Sequence, residues 1–279
     1  MAVGGNRSGA WRGWLVNGVL ALVVLVVLAP LAWMVSVSLM APGEAMRAPA
    51  PLLPGRPTLV EYAKLYTDYH VARPMLNSLV FASLCTAASL LVAVPAGYAF
   101  AKLRFAGREA LLRTLVALLV VPGQLAMLPL FLLLKQAGLV NSYAGALAPW
   151  LASIFGVLFV RQAALSIPDE MLDAARIDGA SERQILWLVV EPLLRPVTVT
   201  LALFTFLGSW NDFLWPLIVL SDQDLYTLPV ALAALSREHV QDAELMMAGA
   251  VVTTLPVLLV FLPLQRFYLG GLLGGSVKG

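Results

Sequence analysis

The charged residues of this chain concentrate in one segment. The chain has 18 Lys and Arg and 16 Asp and Glu residues, and ten of these lie in the segment 161–195. Long apolar stretches flank the segment on both sides, so it must lie in water or against a water-soluble partner. No Walker motif, nucleophile elbow or catalytic dyad occurs in the sequence, so no catalytic residue is predicted and any energy source must lie on another chain.

A second candidate group, Trp210, Asn211 and Asp212, lies inside an apolar run long enough to cross a membrane. A carboxylate at mid-membrane costs about 2.5–3.5 kcal/mol on insertion scales, so Asp212 should face a cavity or a partner. Aromatic faces with amide or carboxylate acceptors suit sugar hydroxyls, which makes these residues candidates for a translocation path. Bonds to a neighbouring helix or to a partner subunit are the alternative interpretation.

Metal and phosphate sites are not predicted. His70 and His239 have no carboxylate or Cys ligands at metal spacing, and Cys85 stands alone in an apolar run. The glycines of 270–275 follow an apolar run and lack the strand–helix context and the Lys-Ser/Thr of a P-loop. The basic residues are scattered among loops, so nothing points to nucleic acid as a partner.

Composition places these groups in an integral membrane protein. Hydrophobic residues make up 60% of the chain and charged residues 12%, whereas a soluble domain has about a quarter charged residues. The apolar runs are long enough for helices that cross a hydrocarbon core about 30 Å thick. We therefore predict an all-α fold, a polytopic membrane helical bundle in which residues 1–279 form a single transmembrane domain.

Six transmembrane spans are predicted, at about 14–39, 77–101, 114–134, 144–160, 196–220 and 244–265. The first apolar run is longer than the core of a cleavable signal peptide, so we interpret it as a retained span. Twelve of the 18 Lys and Arg residues fall on the side that carries both termini and the segment 161–195, and six fall on the other side. The positive-inside rule therefore places both termini and this segment in the cytoplasm.

Two short helices fit the segment 161–195, and the first is predicted at 168–178. Its acidic first turn suits the helix dipole, and Gly179 stands where a left-handed C-terminal cap is wanted. Ala175 and Gly179 are four residues apart and share a face with Leu172, which would let another protein surface approach closely. An ordinary solvated loop is the alternative.

The second helix is predicted to begin at a capping box formed by Ser181 and Gln184. Pro192 marks the end of this helix or a bend in it.

The spacing of the segment resembles the cytoplasmic "EAA" signature of ABC importer permeases, Glu-Ala-Ala-x3-Gly-x9-Ile-x-Leu-Pro. The residues at the signature positions are Asp173, Ala174, Ala175, Gly179, Val189, Glu191 and Pro192. Asp173, Val189 and Glu191 depart from the Glu, Ile and Leu of the signature, and Glu191 is the least conservative of these changes.

The resemblance extends over nearly the whole chain, to the maltose-type sugar permeases and more narrowly to the second, six-span permease subunit. The motifs that carry it are Asn77-Ser78, Asp178-Gly179-Ala180, Pro192-Leu193-Leu194-Arg195-Pro196, Trp210-Asn211-Asp212 and Gly275-Ser276-Val277-Lys278-Gly279.

This resemblance implies a permease subunit of an ATP-driven importer, with a carbohydrate as the expected solute. The implied partners are a second homologous permease, an ABC ATPase dimer that carries ATP and Mg, and an extracytoplasmic solute-binding protein; no cofactor is expected on this chain. The implied location is the plasma membrane of a bacterium or archaeon. The signature would form a coupling helix that docks on the ATPase through Asp173, Ala174, Ala175, Arg176, Asp178 and Gly179.

The resemblance also gives a role to the connection 221–243, which would reach towards the solute-binding protein and gate the pathway. Its candidate residues are Ser236, Arg237 and Glu238, with a merely solvated loop as the alternative.

Three other functions remain open at this stage. One is import of a non-sugar solute such as glycerol-phosphate, and another is secondary transport driven by an ion gradient. The third is a membrane scaffold that recruits a soluble partner without transport.

Overall fold

The structure, a computed structural model, describes residues 7–49, 51–238 and 242–274, and within these ranges it is helical without any strand. The α-helices are α1 (Arg7–Ser38), α2 (Val60–Thr67), α3 (Ala72–Lys102), α4 (Arg108–Leu118), α5 (Met127–Gln136), α6 (Tyr143–Leu147), α7 (Ile154–Ala164), α8 (Asp169–Ile177), α9 (Glu182–Gln184), α10 (Glu191–Trp210), α11 (Leu214–Val219), α12 (Leu228–Glu238) and α13 (Ala243–Gly274). The predicted all-α membrane fold is confirmed.

Among the described residues, four stretches are long and apolar enough to cross a membrane: Gly13–Ser38, Ala72–Lys102, Glu182–Trp210 and Ala243–Pro263. Two bent pairs of helices bring the number to six if each pair counts as one span.

The bent pairs occupy the places of the third and fourth predicted spans. Arg108–Leu118 and Gly123–Gln136 meet at an angle of 100°, and Tyr143–Trp150 and Ile154–Ala164 meet at 45°. Pro122 lies in the first break, where its ring and missing N–H disfavour a continuous helix. The third and fourth predicted spans, 114–134 and 144–160, thus correspond to pairs of helices that are bent at a break.

The helix at the fifth predicted span has bounds that differ from 196–220. The helix begins at Glu182 rather than at 196, and it ends at Trp210 rather than at 220. Pro192 neither ends nor sharply bends this helix. A π-helical turn, Ile185–Val190, joins α9 to α10 just before this proline. The second short helix of the charged segment is thus the first part of a membrane span.

The chain separates into two compact units. In the unit formed by Met1–His70 and Leu235–Thr254, the carboxylate of Glu44 holds loop backbone. Glu44 accepts hydrogen bonds from the N–H groups of Ala41 (3.0 Å) and Gly55 (2.7 Å), and these two bonds lower its pKa below the ordinary value.

The second unit, Val71–Ala234 with Leu255–Gly279, contains a core of α3, α7 and α10. Buried residues of α3 and α7, among them Val94, Tyr98 and Val160, pack with Ile185 of the π-helical turn. Gly97 allows α3 and α7 to approach closely, because a Cβ there would lie 2.7 Å from Val160 Cβ. These three helices hold the charged segment at one end of the unit.

Candidate functional site

The first helix of the charged segment, α8, is closed at its C-terminus by a Schellman motif. Gly179 has φ +83°, and its N–H donates to the carbonyl of Arg176 at 3.0 Å. The N–H of Ala180 donates to the carbonyl of Ala175 at 3.0 Å. These two bonds are the pair that defines the motif, so the cap predicted at Gly179 is confirmed.

The turn after α8 leads directly into the membrane span. Ser181 Oγ accepts from the N–H of Gln184, and Gln184 Oε1 accepts from the N–H of Ser181 at 2.8 Å, so the predicted capping box is confirmed. Only 178–181 separate α8 from the helix Glu182–Trp210. Because this connection is short, a displacement of α8 would be transmitted to the span with little change.

A chain of short hydrogen bonds fixes α8 to the membrane helices. Arg176 donates to Glu182 Oε1 at 2.8 Å and to Asp173 Oδ1 at 2.7 Å, and Tyr98 of α3 donates to Glu182 Oε2 at 2.7 Å. Glu182, followed by Asp173, raises the pKa of Arg176 above its ordinary value, so the guanidinium stays charged. Asp173 and Arg176 are thus held in place by intramolecular bonds as well as being exposed.

Lys102, at the end of α3, makes a second connection to α8. Its ammonium lies 2.6 Å from Asp169 Oδ1 and 2.5 Å from the carbonyl oxygen of Ile167, and only 7% of its side chain is exposed. The hydrogen bond from Lys102 lowers the pKa of Asp169 below its ordinary value. From the sequence alone, Lys102 served only as one of the basic residues that were counted for the orientation in the membrane.

The small-residue face predicted for α8 is divided, because Leu172 and Ala175 lie against the core whereas Gly179 is exposed. Leu172 is 1% exposed, and Ala175 packs against the same core. The exposed face instead carries Ala174, Met171 and Ile177, and the side chain of Ile177 is 86% exposed. The core thus covers Leu172 and Ala175, whereas Ala174, Met171 and Ile177 form a side of α8 that is open to solvent.

Trp210, Asn211 and Asp212 stand where α10 ends, at the break before α11. Trp210 is fully buried and stacks on Phe206 with ring centroids 6.0 Å apart, and the exposed Asn211 donates from Nδ2 to the carbonyl of Leu207 at 2.8 Å. Because Trp210 is fully buried, its side chain does not line a translocation path that is open in this structure.

The carboxylate of Asp212 accepts hydrogen bonds from residues outside α10. Its Oδ2 accepts from Trp150 Nε1 at 3.3 Å, and its Oδ1 accepts from the N–H of Trp215 at 3.3 Å. Sequence reasoning missed Trp150, since 62 residues separate it from Asp212 and no local pattern links them.

The predicted gating residues stand at the C-terminal end of α12. Ser236 and Arg237 are exposed, and Glu238 is the last residue of the helix. His239 lies outside the described residues, as does the tail motif 275–279.

The comparisons of this chain with known proteins agree on one family. The profile of the family described as "Binding-protein-dependent transport system inner membrane component" matches residues 93–269. The chain is 34% identical to the arabinooligosaccharides transport system permease protein AraQ of Halalkalibacterium halodurans, over 95% of this chain and 96% of the relative. It is also 34% identical to the lactose transport system permease protein LacG of Rhizobium radiobacter, over 93% of this chain and 94% of the relative.

The fold is shared with a chain in the crystal structure of a bacterial ABC transporter involved in the import of the acidic polysaccharide alginate. The TM-score is 0.82 at 23% identity, over 96% of this chain and 100% of the other. Together with the signature at 173–192, the profile match over residues 93–269 establishes that this chain belongs to the inner membrane components of binding-protein-dependent transport systems.

Proposed function

We propose that this chain is the permease subunit of an ATP-driven ABC importer of carbohydrates, and that α8 is the helix through which a separate ATPase drives it. The observation that carries the proposal is the combination of an exposed outer face on α8 with a rigid attachment of its inner face to the span Glu182–Trp210. The sugar permeases among its relatives support carbohydrate as the solute class.

The docking contact would centre on Ile177. An isolated side chain that is 86% exposed at the end of a short helix has the form of an anchor for a pocket on a partner. Asp178 and the exposed carboxylate of Asp173 flank it and would set the register of docking by charge. Ala174, on the same exposed side, leaves room for a partner surface to approach the helix.

Next to this helix lies a polar cavity of about 400 Å³. Cationic and anionic side chains both line it, including Lys102, Arg104, Asp169 and Glu182. A polar side chain of the ATPase that entered it would meet charges of either sign.

A second permease subunit and the lipid bilayer would cover the apolar surface of α1. Leu15, Leu22 and Leu25 are exposed by 57%, 62% and 66%, a level that requires lipid or another helix around them. The family name supports a solute-binding protein as the third partner, with Ser236, Arg237 and Glu238 as candidate contacts.

ATP and Mg would bind to the ATPase dimer and not to this chain. The charged segment would face the cytoplasm, as would both termini. The location would be the plasma membrane of a bacterium or an archaeon.

The proposal is tested by Ile177→Asp in the complete importer, assembled from both permeases, the ATPase and the binding protein. We expect loss of ATPase co-purification and of binding-protein-stimulated ATP hydrolysis, with normal insertion of the permease. Leu53→Asp is the matched control, because it places the same charge on another exposed apolar residue, which is 75% exposed and lies in the connection 40–76. Unchanged co-purification with Ile177→Asp, or equal loss with Leu53→Asp, would refute the docking role.

A further inference from the structure

Three interruptions of membrane helices lie close together in the second unit. The first is at 119–122, between α4 and the 3-10 turn Gly123–Ala126, the second at 151–153 before α7, and the third at 211–213 between α10 and α11. Broken helices at membrane depth leave backbone groups without helical partners, so they are tolerated where they lie within protein or line a water-filled cavity.

One cavity of about 740 Å³ receives residues from all three breaks. Pro122 comes from the first break, Ser153 from the second and Asp212 from the third. This volume is in the range of small-molecule sites, about 300–1,000 Å³.

Asp212 gives the cavity its only formal charge among the described residues that line it. Sixteen residues of helix and turn follow Arg195 before Asp212, which corresponds to about 25 Å along the chain at 1.5 Å per residue. The carboxylate thus lies well beyond Arg195 along the chain, at the break between the apolar helices α10 and α11. Its hydrogen bonds from Trp150 Nε1 and from the N–H of Trp215 are long, at 3.3 Å each, and a carboxylate has lone pairs for further donors.

Trp150 gives the cavity an aromatic wall beside this carboxylate. The ring lies against Gly208 of α10, where an added Cβ would be 3.0 Å from Trp150 Cη2 and 3.4 Å from Cζ3. Its Nε1–H donates to Asp212, so the same residue is fixed by packing on one side and by a hydrogen bond on the other. The remaining lining is mostly apolar, with Gln124 and Ser153 as further polar groups.

We propose that this cavity is a transient subsite for a neutral sugar, with a pyranose face against Trp150 and a hydroxyl donating to Asp212. An aromatic surface beside a carboxylate acceptor matches the apolar face and the polar edge of a sugar ring. The carboxylate repels anionic solutes, and no Lys or Arg is among the described lining residues to offset it. The inference rests on the proposed import function and narrows its substrate class to uncharged carbohydrates.

The test is saturation-transfer-difference NMR on the complete permease–ATPase complex in lipid nanodiscs, without the binding protein. Lactose and raffinose serve as neutral probes, and trigalacturonate serves as the acidic probe. We expect ring-proton signals from a neutral probe and a weaker signal from trigalacturonate. Trp150→Ala should lower the apparent affinity for the neutral probe about tenfold, through loss of the aromatic contact.

Two conservative variants keep the test valid if Trp150→Ala fails to fold. Trp150→Phe should retain part of the neutral-probe signal. Asp212→Asn should weaken binding of the neutral probe and raise the signal of trigalacturonate. Trp33→Ala, which removes an exposed tryptophan that is not among the residues lining the cavity, should change nothing.

Three results would overturn the subsite. The first is the absence of signal from both neutral probes, which would assign the cavity to a helix of a partner subunit. The second is a neutral-probe signal that survives both Trp150→Ala and Asp212→Asn, and the third is tighter binding of trigalacturonate than of the neutral probes. Co-purification of the ATPase is measured on the same preparations, so failure of the import proposal is seen separately.

Discussion

Replacement of Gly179 isolates the mechanical role of the turn after α8. Nothing lies within 4 Å of a Cβ built on Gly179, so Gly179→Ala introduces no clash. Its φ of +83° is nevertheless unfavourable for an L-residue with a side chain. The substitution therefore strains the backbone of the Schellman motif and changes little else.

The size of the effect follows from this conformation. A non-glycine residue in the left-handed region costs about 1–2 kcal/mol. Because 1.4 kcal/mol corresponds to a tenfold change in an equilibrium, the closed turn should lose about one order of magnitude in relative population. Gly179→Val should have a larger effect, since β-branched residues are genuine outliers at positive φ.

Gly138 provides a matched control. It has φ +69°, has nothing within 4 Å of a built Cβ, and closes α5 with the same pair of bonds, from Gly138 to Lys135 and from Leu139 to Leu134. Gly138→Ala thus applies similar strain to the same motif outside the charged segment.

The assay compares sugar uptake with ATP hydrolysis in the reconstituted importer. Gly179→Ala should lower the number of sugar molecules moved per ATP, whereas Gly138→Ala should leave this ratio unchanged and alter thermal stability only. Equal ratios for the two variants would show that the turn after α8 carries no special role in coupling.

Three further predictions concern the attachment of α8 and the packing beneath it. Glu182→Gln should weaken the attachment by about 1 kcal/mol, as expected for a partly exposed ionic contact, and should lower uptake more than ATPase co-purification in the same preparation. The contact of Asp169 with Lys102 lowers the carboxyl pKa below 3.8, so its stabilisation is present above pH 3.8 and is lost as the pH falls through the folded-state value; melting curves of wild type and Asp169→Asn should converge at acid pH. Gly97→Ala should destabilise the helical core, since its Cβ would lie 2.7 Å from Val160, and a melting temperature equal to wild type would contradict this close packing.

Local signals in the sequence were sufficient for the elements of the site. The glycine cap and the capping box depend on residues within one turn of each other, and both occur where predicted. Hydropathy likewise identified the apolar stretches, because burial in lipid depends on composition over about 20 residues. The roles of these residues in docking and transport stay predictions.

Contacts between distant parts of the chain could not be obtained from the sequence. Tyr98 and Glu182 are 84 residues apart, and nothing in the sequence around either one indicates the other. The packing of α8 could not be predicted for a related reason, since Leu172 and Ala175 form a stripe that suits a partner or the core equally well. The core contacts of Leu172 decide between the two.

The helix that begins beside α8 ends next to the cavity around Asp212 and is one continuous element. It has 29 residues from Glu182 to Trp210, which makes it about 43 Å long at 1.5 Å per residue. A tilt of about 5° at the capped end would carry the far end sideways by about 4 Å, on the basis of that length. Such a displacement is comparable to the width of a sugar ring, so under the proposed coupling a small rotation at α8 would be enough to reshape the cavity around Asp212.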